Sequence, residues 1–80
     1  MKTQQALTQS QAGLMQALAR LEVATEAMRA AGKDLERAEA EAEDPTTRAV
    51  AGAAHEGTRR ALVRLASVRS IVGRHLGLYI

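Results

Sequence analysis

Residues 7–45 read LTQSQAGLMQALARLEVATEAMRAAGKDLERAEAEAEDP, and the spacing inside this stretch decides the fold. Leu7, Leu14, Leu21, Met28 and Leu35 recur every seven residues, and Ala42 continues the series. A strict period of seven keeps one helical stripe facing a neighbouring helix and imposes a left-handed supercoil. Three positions after each of the first five comes a small residue: Ser10, Ala17, Ala24, Ala31 and Ala38. The two rows together predict a coiled-coil seam that alternates large and small side chains, with helix axes that approach closely.

Outward from the seam, the only proline closes the segment EAEDPTT. Asp44 suits the N-cap of a new helix and Pro45 its first position, where a missing N–H costs nothing. Glu41, Glu43 and Asp44 are unfavourable at the end of one helix, but they lie beside the positive start of the next. The boundaries expected are helix one over about 4–42, a turn at about 43–46, helix two over about 45–76, and an apolar tail over 77–80. At about 100° per residue, helix two gathers Val50, Ala51, Ala54, Ala61, Leu62, Leu65, Val68, Val72, Leu76 and Tyr79 on one face. Arg48, Arg59, Arg60, Arg64 and Arg74 fall on the other side. So short a connection makes the helices antiparallel. The fold expected is therefore all-α: an antiparallel two-helix hairpin, coiled-coil-like, with an alanine-rich seam, forming a single domain over 1–80.

Composition narrows the function. Eighty residues make one domain at most, and a chain this short rarely buries enough apolar surface without a staple or a partner. There is no cysteine and a single aromatic, Tyr79, so disulfides, thiolate metal sites and large aromatic anchors are excluded. The apolar fraction of 46% is mostly alanine, which favours helix and buries little. No stretch approaches the ~18 consecutive apolar residues of a membrane span. The first residues, MKTQQALTQSQAGLMQALAR, hold no continuous apolar run of the kind a secretory signal needs. The chain reads as soluble and intracellular. Its charge is lopsided: five basic residues against eight acids through Asp44, a net −3, then six arginines against Glu56 alone, a net +5.

No constellation of catalytic type is present in the sequence. There is no phosphate-binding glycine loop, no nucleophile elbow, and no nucleophile with a base at a useful spacing, so an enzyme is not expected. His55 and His75 lie twenty residues apart on one helix, too far along the axis to share a metal. The acids from Glu36 to Asp44 lack the glycine-anchored loop of a calcium site and read as a solvated face. No cofactor and no metal is expected. The arginines Arg59, Arg60, Arg64, Arg69 and Arg74 suit a phosphate backbone, but no aromatic residue interleaves with them. Folded about Asp44, the hairpin is expected to bring Glu22 and Glu26 past Arg64 and Arg60, so nucleic-acid binding ranks below protein binding. Met15, Leu18, Val23, Val63 and Ile71 fall off the expected seam, so a further surface is needed to cover them.

Within AAGKDLERAEAEAEDP, residues 30–45, Ala30, Ala31, Lys33, Leu35, Glu36, Asp44 and Pro45 carry a family likeness. In a chain of this length with a second helix following, they resemble the small YscE-, SsaE- and EscE-type proteins of bacterial type III secretion. The resemblance implies a non-catalytic co-chaperone of the bacterial cytoplasm. Such a protein pairs with a larger TPR-like chaperone, and the two keep a needle subunit soluble and unpolymerised. This chain is poorer in large apolar and aromatic residues than that family. The residues expected to meet the partner, at the open end of the hairpin, are Met15, Leu18, Val63, Ile71, Leu76 and Tyr79, with Leu18 near Ile71 and Leu14 near His75. The competing readings are a homo-oligomeric coiled coil completed by copies of itself and, less favoured, a basic helix pair that binds nucleic acid.

Overall fold

The computed structural model describes residues 8–78. Two helices account for nearly all of them: α1, Gln9–Glu41, and α2, Pro45–His75. They pack against each other along their length as an antiparallel hairpin, so the all-α class stands. The part of helix one expected over 4–7, including Leu7, lies outside the described residues, as does the end of the apolar tail, Tyr79 and Ile80.

Each helix end has a local cause. Thr8 starts α1 with a reciprocal cap: its hydroxyl accepts from the Gln11 amide at 3.1 Å, and the Gln11 side chain accepts from the Thr8 amide at 3.0 Å. Asp44 starts α2 by accepting the Thr47 amide at 2.8 Å, with Pro45 next in line. The last turn of α1 holds no basic residue. Arg48 reaches back across the turn to supply one, donating to the Ala42 carbonyl at 2.6 Å. α2 stops at Gly77, whose φ of 75° is the left-handed conformation that ends helices. There the Leu78 amide donates to the Gly73 carbonyl at 2.9 Å and the Gly77 amide to the Arg74 carbonyl at 3.0 Å, the paired bonds of a Schellman ending.

Four cross-helix approaches fix the register. A Cβ on Gly32 would stand 3.1 Å from the Thr58 hydroxyl, and one on Gly52 would stand 2.9 Å from the Glu39 carboxylate. Glu39 also lies 3.6 Å from His55, and Glu22 lies 3.8 Å from Arg69. Continued along the hairpin, this register sets Leu14 level with Leu76, Leu18 with Val72, Thr25 with Leu65, and Met28 with Leu62. Glu22 therefore meets Arg69 rather than Arg64.

The seam itself corrects the sequence reading. The leucine row faces α2 as expected, but its companion row lies four positions after each leucine, not three. Leu18, Thr25 and Gly32 are buried and Glu39 is half-buried, while Ser10, Ala17, Ala24, Ala31 and Ala38 are all exposed. A seven-residue repeat splits equally well as three-then-four or four-then-three. The split adopted here buries the large side chain of Leu18, which carries more transfer free energy than a methyl group. On α2 the facing rows are Ala51, Thr58, Leu65 and Val72 with His55, Leu62, Arg69 and Leu76. Val50, Ala54 and Val68, expected on that face, are exposed instead.

Two threonines sit in the middle of the seam, Thr25 at 2% and Thr58 at 8% exposure. Each satisfies its hydroxyl within its own helix, Thr25 on the Leu21 carbonyl at 2.8 Å and Thr58 on the His55 carbonyl at 2.7 Å. Neither hydroxyl needs an acceptor from the other helix, and that of Thr58 faces Gly32 across the seam. Among the described residues the buried apolar side chains are Leu18 and Ala51 alone. The core is thus a single thin line, and most leucines in it keep one flank open.

Candidate partner-binding surface

An antiparallel pair has two broad sides, and here they differ in chemistry. The residue that precedes a seam position leans to one side of its helix. When the partner helix runs in the opposite direction, its own preceding residues lean to the same side. On α1 that row is Ala17, Ala24, Ala31 and Ala38; on α2 it is Ala54, Ala61, Val68 and His75. The adjoining outer row adds Gly13, Arg20, Ala27, Asp34 and Glu41 from α1, and Val50, Gly57, Arg64, Ile71 and Leu78 from α2. This apolar side therefore pairs alanines on α1 with larger groups on α2. Val50, Val68, Ile71 and Leu78 all stand exposed on it, Ile71 to 67%.

The opposite side is charged. Glu22, Glu26, Arg29 and Glu36 occupy it on α1, and Glu56 and Arg59 on α2. Its ion pairs are local and solvated: Arg29 on Glu26 at 2.7 Å and Arg59 on Glu56 at 3.9 Å, each between neighbouring turns of one helix. Pairs of this kind add little stability. Arg60, Arg64 and Arg74 have no acidic partner among the described residues.

The six residues expected at the contact surface do not gather into one patch. Met15 and Val63 are exposed on the charged side, and Ile71 is exposed on the apolar side. Leu18 is 6% exposed and belongs to the core, so it is not free to meet a partner. Leu76 is half-buried in the seam as the C-cap of α2, and Tyr79 lies outside the described residues. Sequence reasoning missed that Val50, Val68 and Leu78 share a side with Ile71. The signal was available: from Val50 to Leu78 the series 50, 54, 57, 61, 64, 68, 71, 75, 78 alternates steps of four and three, which is a second seam beside the first.

Nothing else in the described residues gathers chemistry. No group of three or more His, Cys, Asp or Glu lies close enough to hold a metal. A shallow depression runs beside Gln16, Ala19, Arg20 and Val23, all on α1 and open to solvent. The Asp44 carboxyl is held below its ordinary range, because it accepts the Thr47 amide at the head of α2. No described helix is long and apolar enough to cross a membrane.

Fold and surface together define a class: an antiparallel coiled-coil hairpin with a thin seam and one exposed apolar side. No protein-family model, curated protein or solved structure matches the chain.

Proposed function

We propose that this hairpin is a non-catalytic binding module, a co-chaperone that completes its structure against a larger protein. The observation that carries the reading is the apolar side: Val50, Val68, Ile71 and Leu78 stay exposed, while among the described residues the seam buries only two apolar side chains. A partner that covers them binds the folded hairpin alone, and mass action then adds its binding free energy to the stability of the fold. The type III secretion likeness of residues 30–45 supports the choice of partner, a TPR-like chaperone of the bacterial cytoplasm. A concave helical-repeat surface is suited to receive a rod of this kind, and the pair would keep a needle subunit from polymerising.

The test is calorimetric titration of the purified chain with a TPR-like chaperone of a type III secretion system. Val68→Asp with Ile71→Asp should abolish binding and leave the helical circular dichroism in place, since both side chains are exposed. Unchanged heat of binding in that double variant rejects the apolar side as the contact.

A further inference from the structure

We infer that the partner covers Val68 and Ile71 with an apolar groove edged by carboxylates, which hold Arg20, Arg64 and Arg74 and so fix the direction in which the hairpin lies. The inference rests on the partner-binding reading above and adds the chemistry of the occupant. Val68 and Ile71 stand among arginines. On α2, Arg64 comes one turn before Val68 and Arg74 one turn after Ile71, spacings at which helical side chains are neighbours. Across the hairpin, the register sets Arg20 of α1 level with Ile71. All three arginines are exposed, and none has an acidic partner among the described residues.

A protein surface that covers Ile71, which is 67% exposed, must also lie over these guanidinium groups. A guanidinium taken out of water with no acceptor is costly, so the surface that receives the apolar pair must place acceptors beside it. Carboxylates are the match, because guanidinium and carboxylate join through two parallel hydrogen bonds that an ammonium group cannot make. Residue usage agrees: all six cations of α2 are arginines, and both lysines of the chain, Lys2 and Lys33, precede it. The acids on the apolar side, Asp34 and Glu41, lie toward the turn, and Asp34 has Arg37 at 3.9 Å. The side is therefore positive in its open half and negative in its turn-proximal half. An anionic bilayer or a nucleic-acid duplex laid along it would meet Asp34 and Glu41 with like charge. A protein can set its carboxylates over the open half alone, which gives the complex one orientation.

Calorimetric titration of the full chain with a TPR-like chaperone of a type III secretion system tests this apart from the reading beneath it. Arg20→Glu with Arg64→Glu should weaken binding on the order of 100-fold. The helical circular dichroism should not change, since both side chains are exposed and neither is paired within the hairpin. Lys33→Glu, one repeat after Glu26 on the charged side, should leave the affinity as it was. Added salt should weaken the wild-type complex more steeply than that of the double variant. Vesicles of anionic phospholipid and a short DNA duplex, titrated in the same buffer, should give no heat. Wild-type affinity in the double variant overturns the inference and leaves the apolar contact standing. Equal losses in Lys33→Glu and Arg64→Glu overturn it as well, because net charge would then account for both. So does binding of vesicles or duplex that the double variant loses, which assigns the arginines to phosphate. No heat between the wild-type chain and the chaperone overturns the inference and the reading together.

Discussion

Between Gly32 and the turn, the helices are held by close approach and by polar groups. Between Leu14 and Met28 they are held by leucines. In the turn-proximal half Gly32 admits Thr58, Gly52 admits the Glu39 carboxylate, and Arg48 caps the Ala42 carbonyl. In the open half Leu14, Leu18, Leu21, Leu62, Leu65 and Val72 fill the seam, interrupted by Thr25 and Arg69, and Leu35 carries one leucine into the turn-proximal half. The first half specifies register, because its fit fails if either helix slides. The second half supplies the apolar burial, which is indifferent to a small slide but large in free energy. Precision and strength are thus placed at opposite ends of one line of contacts.

The largest expected effect is Leu18→Ala, which removes the most buried large side chain. It should cost about 2–5 kcal/mol, enough to leave so thin a core largely unfolded at room temperature, as read by circular dichroism. Next comes Gly32→Leu in the register half. The added side chain has the Thr58 hydroxyl 3.1 Å from its Cβ position, and the resulting overpacking should cost about 1–3 kcal/mol. Thr58→Ala in the same chain should restore part of the loss in urea melts; a wild-type midpoint for Gly32→Leu alone would show that the close approach carries no weight.

Arg69→Met sharpens the contrast in the other direction. The Arg69 Nε is buried without a hydrogen-bond partner, and its link to Glu22 is long, at 3.8 Å. Replacing it with an apolar chain of similar reach should raise stability by about 1 kcal/mol, making the open half more uniform; a lower melting temperature would contradict this. The smallest effect is at the turn. The carboxyl of Asp44 is held below its ordinary range by the Thr47 amide. Its contribution is therefore present above the unfolded value, about 3.9, and is lost as pH falls through the folded one. Thermal melts between pH 2 and 6 should show a shallower acid-side decline in Asp44→Asn than in the wild type, and equal declines would remove this contribution.

How much of this was legible in the residues depends on the type of signal. The leucine row, the Asp44–Pro45 start of α2 and the stop at Gly77 are local and strong, and each holds in the structure. The companion row was displaced by one position because Ala17 and Leu18 both satisfy a repeat of seven. What separates them is the opposite helix, and Thr25, Gly32 and Glu39 do not read as core without it. Glu39, His55 and Arg69 enter the seam with their stems, so composition marks them as surface. Four of the expected contact residues, Met15, Leu18, Val63 and Ile71, were left over by the misplaced seam, and the set mixed both sides of the hairpin with its core.

Because most of the leucines, and Leu18 as the most buried of them, lie far from the connection, the hairpin is fastened more firmly at its mouth than at its fold. Amide exchange should follow that order, with slower exchange around Leu18 and Val72 than around Glu39 and Ala51. Assembly of the chain then cannot proceed as a gradual zipping from the connection outward. Its first rungs return too little to offset the ordering of each new residue, so the two arms must meet at their distant ends before the whole becomes stable.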